Sequence, residues 1–316
     1  MDRWDALETK LHQSCPALEL RRGEPLSRHT TFHVGGPAAL MALPKSRAEA
    51  SAAVAAAAGL GVVPVCLGNG SNLLVSDAGY DGFFVKTAGG LDGISARGTV
   101  LAADSGVSLS RLAAAALEAG LTGLEFAHGI PGSLGGAVTM NAGAYGGEMA
   151  QVVSQVTFVS EAGQVETIPA AACGFAYRRS VFSDGKRLIL GAELALAPGD
   201  PAAIRARMEE LWERRRAKQP LDLPSAGSTF KRPEGHFAAA LIEQCGCKGL
   251  RVGGAQVSEK HAGFVVNAGG ATCRDILALV GQVRARVLEQ TGVTLELEVK
   301  TLGLDAGEGG AEWNLS

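Results

Sequence analysis

The sequence predicts a globular protein of mixed α and β structure with more than one domain, and three observations support this. The chain has 316 residues, enough for two or three ordinary domains. Hydrophobic residues make up 47% and charged residues 19%, a composition typical of folded rather than disordered chains. Segments with helical and with strand patterns alternate, and they are separated by glycines. There are 43 glycines, twice the usual share of ~7%.

The first predicted elements follow one another closely. Ser46 and Glu49 have the spacing of a capping box, and the alanine-rich segment behind them predicts a helix ending near Ala58. Short strands are predicted in "VVPVCL" and "GFFVKT", and a helix is predicted from Ser108 to a stop at Gly120. This alternation indicates an α/β unit.

The middle of the chain changes character. Residues 124–148 contain too much glycine for a regular element, so we expect none there. Next come "QVVSQVTFVS", "GQVETIP" and "RLILGAELAL", which are typical of an antiparallel sheet. Asp200 followed by a proline predicts the start of a helix that buries Ile204, Met208 and Leu211.

A last domain is predicted after the linker between Pro220 and Pro224. Its expected elements are a short helix at 237–245, strands near 252–257 and 263–267, a helix at 273–290 and a strand at 294–303. The long helix repeats apolar residues at core spacing: Ile276, Val280, Val283 and Val287. The polar tail after Gly303 is expected to be mobile.

Composition argues against several classes of protein. The net charge of −3 and an aromatic content of 5% do not favour a nucleic-acid binder. The six cysteines form no C-x-x-C pair, and the six histidines show no ligand spacing, so reduced thiols and no metal site are expected. The N-terminus lacks the apolar core of a signal peptide. The uncharged stretch 50–76 is broken by glycines and Pro64, so it is not expected to span a membrane.

Two glycine loops are candidates for ligand binding. "GNGSN" follows a predicted strand, and its amides could hold a pyrophosphate, although an ordinary strand-ending turn fits equally well. It is not a complete dinucleotide fingerprint, because Leu73 stands where a third glycine is required. The second loop carries seven glycines within 129–147 and no charge before Glu148. That pattern favours contact with a planar ligand over a solvated surface loop.

Seven motifs, in order, resemble the UDP-N-acetylenolpyruvoylglucosamine reductase family. They extend from residue 29 to residue 303: "HTTFHVGGPA", "GNGSNLLVSD", "GIPGSLGGAVTMNAGAYGGEM", "YRRSVF", "AGSTFKRP", "VSEKHAGFVVNAG" and "LELEVKTLG". Each motif alone is moderate evidence, whereas the ordered set is specific. The segments "RPEGHFAAALIE" and "KHAGFVVN" resemble the shorter subclass, which lacks an extra substrate-covering loop.

The resemblance implies an α+β fold. The expected architecture is a two-lobed FAD-binding region of the vanillyl-alcohol-oxidase (PCMH) type, followed by a C-terminal α+β substrate-binding domain. The expected boundaries are 1–88 and 89–200 for the two FAD-binding lobes, 201–303 for the substrate-binding domain and 304–316 for the polar tail.

The resemblance also implies a reaction. NADPH reduces a non-covalently bound FAD, and flavin N5 delivers hydride to the enolpyruvyl group of UDP-N-acetylglucosamine enolpyruvate. The product is UDP-N-acetylmuramate, a precursor of peptidoglycan. The flavin carries the hydride chemistry, and the protein supplies position, electrostatics and a proton.

Three residues are carried over as catalytic. Ser228 is implied to donate the proton to the carbanion; on "AGST" alone, a turn-capping serine would be the better interpretation. Arg178 is implied to pair with the substrate carboxylate through its planar guanidinium. Glu298 is implied to hold the reacting end. Without the family match, Glu296, two residues away on the same strand face, is an equal candidate.

Further residues are carried over as binding residues. The implied flavin contacts are Gly68, Asn69, Gly70, Ser71, Asn72, Leu73, Gly129, Ile130, Pro131, Gly132, Ser133, Gly135, Gly136, Asn141, Gly143, Ala144, Arg215 and Lys300. The implied substrate contacts are Tyr177, Lys218, Arg232 and His261. Three positions depart from the commoner family residue: Arg232 replaces Asn, Lys300 replaces Arg, and His33 replaces another basic residue.

Two other functions remain as alternatives. One is another FAD-dependent oxidoreductase or oxidase of this fold, acting on a small alcohol or sugar lactone; the joint presence of Arg178, Ser228 and Glu298 argues against it. The other is a non-catalytic nucleotide-binding protein, based on the glycine loops alone. Because the implied substrate and NADPH are cytoplasmic, we expect a cytoplasmic protein, and we expect a monomer.

Overall fold

The computed structural model describes residues 2–304, so the predicted polar tail lies, beyond Leu304, outside the described residues. These residues form two compact units, each assembled from three segments. The first unit comprises Met1–Gly23, Ala39–Asn69 and Gly82–Arg214, and the second comprises Glu24–Ala38, Gly70–Asp81 and the chain from Arg215 onward. The lobe boundaries expected at residues 88 and 200 stay predictions.

Helices and strands alternate through both units. The helices are α1 Arg3–Ser14, α2 Arg47–Ala58, α3 Leu109–Glu118, α4 Leu134–Thr139, α5 Pro201–Lys218, α6 Ala238–Gln244 and α7 Cys273–Thr291. The strands of the first half are β1 Glu19–Pro25, β2 Pro37–Leu43, β3 Val65–Leu67, β4 Leu73–Val75, β5 Tyr80–Lys86, β6 Ile94–Arg97, β7 Val100–Asp104, β8 Leu121–Thr122, β9 Gly143–Ala144 and β10 Gly147–Glu148. The later strands are β11 Val153–Val159, β12 Val165–Pro169, β13 Leu188–Ala195, β14 Ala197–Pro198, β15 Arg251–Val252, β16 Ala255–Val257, β17 Val265–Asn267 and β18 Lys300–Leu302.

The first unit is built on two larger sheets. One has the strand order β1-β2-β5-β3, and the alanine face of α2 contributes Ala50, Ala53 and Val54 to the core beside it. The other has the order β12-β11-β13-β7-β6 and is antiparallel throughout. The buried faces of α3 and α4 share one apolar core with this second sheet. Alanine-rich helices permit close packing because they present almost no side-chain volume.

The second unit is smaller. Strands β15, β16 and β17 form an antiparallel sheet, and α6 and α7 pack with it in one core. Strand β18 pairs in parallel with β4, which matches Lys300 with Leu73. The predicted core stripe of α7 is confirmed, since Ile276, Val280 and Val283 are all buried. No helix within residues 2–304 is long and apolar enough to cross a membrane.

Most predicted elements are confirmed, and their capping explains why. The Ser46 hydroxyl accepts a hydrogen bond from the Glu49 amide at 3.1 Å, and the Ser108 hydroxyl accepts one from the Arg111 amide at 3.3 Å. The Asp200 carboxylate accepts bonds from the two amides that follow Pro201, each at 3.2 Å. The antiparallel sheet predicted for 151–196 is present as β11, β12 and β13.

Three predictions were wrong in part. The region 124–148 is not irregular: buried Leu134, Ala137 and Val138 have helical spacing and stabilise α4 despite its glycines. The strand at "VVPVCL" begins only at Val65, because proline has no N–H for a ladder bond. The strand predicted at 294–303 is regular only in β18, and Leu297 makes an isolated bridge with Phe230.

Several elements had no prediction. Helix α1 and the strands β1, β2, β6 and β7 were missed. Helix α1 buries only Trp4, Leu7 and Leu11, too few apolar positions to stand out among its charges. In β6 the last three residues are exposed, so the strand carries no alternating pattern.

A carboxylate distant in sequence caps the N-terminus of α7. Asp77 accepts hydrogen bonds from the amides of Cys273 at 2.7 Å and Arg274 at 3.1 Å. Thr272 and Asp275 complete a capping box on the same turn. Three of the free amides at this helix end therefore have partners, and two negative charges lie at the positive end of the helix dipole.

Replacing Asp77 by alanine is expected to lower the free energy of unfolding by about 1–2 kcal/mol, because two amides of α7 lose their acceptor. Denaturant unfolding measures the change. Asp222→Ala, at an exposed position in the same unit, is the control and should leave stability unchanged. Equal stability of the two variants would contradict a role for the Asp77 cap.

Candidate active site

The second glycine loop is a structured element of the first unit. The Gly129 amide donates to the Ser110 hydroxyl at 3.2 Å, and the Gly132 carbonyl accepts from the Leu109 amide at 3.0 Å. Helix α4 follows, and β9 and β10 then form a small hairpin that contains Gly143 and Ala144. The loop is therefore held against α3 by named hydrogen bonds.

The two glycine loops meet at Gly68 and Ser133. A Cβ atom on Gly68 would overlap the Ser133 hydroxyl, so any larger residue there would require the Ser133 side chain to move. Ser133 is 1% exposed, and within residues 2–304 its Oγ has no hydrogen-bond partner. Buried hydroxyls are normally paired, so an unpaired one beside bare backbone is consistent with a bound polar ligand.

The exposed glycines of this loop leave room beside the backbone. An added Cβ on Gly136 would meet nothing closer than 3.7 Å, and one on Gly146 would meet nothing within 4 Å. Both residues are exposed, as is Pro131, and Ile130 is half-buried. The open backbone and the unpaired hydroxyl of Ser133 fit a flavin nucleotide, which presents both a flat ring and phosphates.

Asn141 connects the glycine loop with the segment that carries Arg178. Its side chain is 1% exposed. The Oδ1 atom accepts from the Ala150 amide at 2.9 Å, and Nδ2 donates to the Ala176 carbonyl at 3.2 Å. The family resemblance implied a flavin contact for Asn141. In the structure both ends of the amide bond to this chain's backbone, which makes the residue a brace of the loop.

Arg178 lies in a tight turn with unusual backbone geometry. Ala176 and Arg179 exchange two backbone hydrogen bonds, of 2.9 and 3.1 Å, so Tyr177 and Arg178 form the turn between them. Arg178 has φ = 54°, in the left-handed region that long side chains rarely adopt. Such strain persists only where the surroundings enforce it, and it is common at functional sites.

The Arg178 side chain lies against the glycine hairpin. Its guanidinium carbon is 5.2 Å from the centroid of the Tyr177 ring, and Nη2 is 3.5 Å from the Gly143 carbonyl. Arg178 is half-buried, whereas Arg179 and Tyr177 are exposed. Ser180, directly after the turn, donates to the Thr139 carbonyl at the end of α4 at 2.8 Å. The turn at 176–179 is thus held at its start by the bond from Asn141 to Ala176 and at its end by the bond from Ser180 to Thr139.

In the second unit, the first glycine loop pairs with the segment around Glu298. The Asn72 side chain donates through Nδ2 to the Glu298 carbonyl at 3.1 Å, and the Asn72 backbone carbonyl accepts from the Lys300 amide at 3.0 Å. The Gly70 carbonyl accepts from the Thr31 amide at 3.2 Å. The structure therefore brings the predicted residues Asn72, Glu298 and Lys300 together, with Ser71 and Leu73 in the same segment.

Ser228 lies on the other side of the Glu298 segment. Gly227 has φ = 76° and makes the turn that leaves Ser228 exposed. The Glu298 amide donates to the Thr229 carbonyl at 2.9 Å. The segments that carry Ser228 and Glu298 are consequently held next to each other, with an isolated bridge between Phe230 and Leu297.

The environment separates the two glutamates that the residues alone left open. Glu296 has a side chain that is 71% exposed and forms an ion pair with Lys231 at 3.0 Å. Glu298 is half-buried between the Asn72 and Thr229 segments. An exposed ion pair contributes little and marks a solvated position. Glu298 is the glutamate that is partly buried and whose backbone is held by neighbouring segments.

The segments that carry Ser228 and Glu298 also carry the cations Lys231, Arg232 and Lys300. Although Lys300 as a whole is exposed, desolvation of its ammonium lowers its pKa below the usual range, and Lys231 lowers it further. The Arg232 guanidinium lies 4.0 Å from the centroid of the Phe237 ring, which is 61% exposed. A lysine at 300 retains a charge beside Glu298 but lacks the bidentate fork of arginine.

His261 has a defined tautomer. Its Nδ1 accepts a hydrogen bond from the Gly263 amide at 3.1 Å, so the neutral ring carries its proton on Nε2. Burial lowers the pKa of His261, and Lys248 and Lys218 lower it further. His261 is therefore a neutral donor near pH 7. Arg215 is buried and donates to Gln219 at 3.2 Å, while Lys218 is exposed.

Two supporting residues were missed. Asn267 is 8% exposed; its Nδ2 donates to the Phe32 carbonyl at 3.1 Å, and its Oδ1 accepts the Gly269 and Ala271 amides. The signal was an amide at the end of the apolar run "FVVN". Thr229 was missed because a threonine beside Ser228 has no distinctive spacing.

Gly68→Ala is expected to destabilise the apoprotein by about 1–3 kcal/mol, because the new methyl group meets Ser133 in a packed site. Adding Ser133→Ala should recover much of this loss, a coupling that a double-mutant cycle of thermal unfolding measures. Gly136→Ala is the control: its Cβ has room inside a helix, so stability should not fall. Additive losses in the cycle would show that the loops do not touch there.

Comparison with known proteins gives consistent matches over both parts of the chain. Residues 38–169 match the family model for an FAD binding domain. Residues 219–302 match the model for the C-terminal domain of UDP-N-acetylenolpyruvoylglucosamine reductase. These matches and the similar solved structure establish the α+β fold, with an FAD-binding region followed by the C-terminal domain of the reductase.

Similar whole proteins carry one name. The reductase of Caldanaerobacter subterraneus is 45% identical over 299 residues, which cover 95% of this chain and 99% of that protein. The reductase of Levilactobacillus brevis is 45% identical over 91% of this chain and 94% of its own. The crystal structure of the reductase from Thermus caldophilus superposes with a TM-score of 0.78 at 36% identity, covering 90% of this chain and all of that one. The chain belongs to the UDP-N-acetylenolpyruvoylglucosamine reductase family.

Proposed function

We propose that Arg178, Ser228 and Glu298 carry the reduction of UDP-N-acetylglucosamine enolpyruvate to UDP-N-acetylmuramate, the family's step in peptidoglycan synthesis. The protein is an FAD-dependent oxidoreductase with NADPH as its reductant. The observation that supports the residue roles best is the backbone bond between Glu298 and Thr229, the residue that follows the exposed Ser228. Family membership over 95% of the chain disfavours an alcohol or lactone oxidase and a non-catalytic binding protein.

FAD, when bound, supplies the hydride chemistry of the reaction. The glycine loops of the first unit that contain Gly68, Ser133 and Gly136 would hold it. In the second unit, Asn72 and Lys300 stay proposed flavin contacts. We propose that binding is non-covalent. The unpaired Ser133 hydroxyl would gain a partner, which favours a polar part of the cofactor at that position.

Arg178 is suited to the substrate carboxylate. Hydride addition to the enolpyruvyl double bond leaves negative charge on the adjacent carbon and its carboxylate, and a planar guanidinium donates hydrogen bonds to both carboxylate oxygens at once. The fixed turn at 176–179 limits the orientations open to the Arg178 side chain, so little ordering of that side chain remains at the moment of reaction.

Ser228 is suited to the final protonation. Its hydroxyl proton moves to the carbanion carbon, a C–H bond forms, and the resulting alkoxide regains a proton from solvent. A serine hydroxyl is a weak acid, so the transfer depends on distance and on nearby positive charge. Arg232 and Lys300 of the same unit are the proposed source of that charge, since Lys231 is paired with Glu296. Glu298 would hold the reacting end of the substrate from the neighbouring segment.

The remaining predicted contacts fit an anionic nucleotide substrate. Lys218 is exposed and suits the diphosphate, as does Arg232 held over Phe237. His261 donates through Nε2, and Tyr177 presents an exposed ring next to Arg178. Because both substrates belong to the cytoplasm, we propose a cytoplasmic protein. A monomer stays a prediction, which static light scattering of the purified protein tests.

Ser228→Ala is expected to slow substrate-dependent reoxidation of the prereduced enzyme by about 100-fold or more, the contribution of a general acid. Reduction by NADPH should be unchanged, because it precedes the proton transfer. Anaerobic stopped-flow absorbance separates the two half-reactions. Ser225→Ala in the same segment is the control with normal kinetics, and normal reoxidation in Ser228→Ala would exclude Ser228 as the proton donor.

Arg178→Lys is expected to reduce the same reoxidation rate by about 100-fold, because lysine retains the charge but loses the bidentate contact. The adjacent Arg179→Lys provides a matched control, since Arg179 is exposed and should tolerate the change. Single-turnover measurements at saturating substrate report the chemical step. If the reoxidation rates of both variants fell equally, damage to the turn at 176–179, rather than loss of the Arg178 guanidinium, would be responsible.

A further inference from the structure

Thr229 is a buried polar residue between the proposed proton donor and the apolar core. It is 2% exposed, whereas Ser228 before it is exposed and Phe230 after it is buried. A threonine in such a position needs partners for its hydroxyl as well as for its backbone. Those partners show what the residue holds in place.

Three hydrogen bonds connect Thr229 with two other segments of the second unit. Its amide donates to the Gly263 carbonyl at 2.8 Å, and its Oγ1 accepts from the Val265 amide at 3.0 Å. Its carbonyl accepts from the Glu298 amide at 2.9 Å. One residue therefore joins the Ser228 segment to β17 on one side and to the Glu298 segment on the other.

The hydroxyl replaces a missing backbone partner. Val265 pairs with Val257 of β16 across one edge of β17. On the other edge, the Val265 amide finds the Thr229 side chain instead of a carbonyl. An aliphatic side chain of the same shape would leave that buried amide unpaired, so the segment would have to move to satisfy it.

A second anchor lies just before Ser228. The Ser225 carbonyl accepts from the Thr31 hydroxyl at 2.6 Å, and the Pro224 carbonyl accepts from the Asn267 amide at 2.8 Å. Between this anchor and Thr229, the chain makes the turn at Gly227. The position of the Ser228 hydroxyl is thus determined by what is fixed on either side of it.

We propose that Thr229 is a positioning residue for the proton transfer, holding Ser228 and Glu298 at a fixed separation through its hydroxyl bond to β17. The inference rests on the proposed function, because it gives Thr229 a role only if Ser228 donates the proton. A displacement of about 1 Å in a reacting group can cost on the order of 100-fold in rate. A side chain with the shape of threonine but without its hydroxyl is therefore not sufficient at position 229.

The test compares Thr229→Val with Thr229→Ser in the FAD-loaded, full-length enzyme. Thr229→Val should slow substrate-dependent reoxidation about tenfold or more and leave reduction by NADPH unchanged. Thr229→Ser keeps the oxygen and should restore most of the rate. Hydrogen exchange should show faster exchange of the Val265 and Glu298 amides in the valine variant only.

Thr294→Val is the control. Thr294 is exposed in the same unit, where water can satisfy its hydroxyl, so loss of that oxygen should change neither half-reaction. Thr229→Val with wild-type reoxidation would overturn the inference while leaving Ser228 in place. Equal losses in both half-reactions would overturn it too, since they indicate general damage. If Ser228→Ala itself reacted normally, the proposed function would fail first.

Discussion

The hydrogen bond from the Glu298 amide to the Thr229 carbonyl is the constraint on which the second unit's part of the site depends. It fixes which face of each segment is presented. Phe230 and Leu297 form the bridge beside it, and Phe230 is buried in the core. Because one side of this pair is committed to the core, a slip by one residue would bury Glu298 or expose Phe230. The hydrophobic core therefore sets the register of the reacting groups.

The first unit solves a different problem, the display of bare backbone to a ligand. Glycine-rich segments lose much entropy on folding, so they remain ordered only if other contacts compensate. Here the loop is bonded to Ser110 of α3, and Asn141 bonds it to the Arg178 turn. Ser180 bonds that turn to the end of α4. The surrounding alanine-rich helices supply the rest by close packing. A flexible sequence thus becomes a fixed surface.

The regular elements could largely be predicted from local signals, because capping residues and apolar periodicity report directly on helix ends and buried faces. Strands β1, β2, β6 and β7 could not, because such strands are fixed by partners elsewhere in the chain: β7, for example, pairs with β13. The same holds for the site. Ser228 and Glu298 could be named from the family motifs, but the roles of Thr229 and Asn267 depend on neighbours that no local pattern contains. Glu296 and Glu298 became distinguishable only by exposure and by the ion pair with Lys231.

The left-handed backbone at Arg178 sets two demands against each other. Glycine would relieve the strain at this position, whereas the proposed contact with the substrate carboxylate requires a guanidinium. A library of variants selected only for heat resistance would therefore drift towards glycine or asparagine here and lose its catalysts. Sequences optimised by a stability criterion alone would carry the same bias. Arg178 is a place where the stability of the fold and the fitness of the enzyme have different optima.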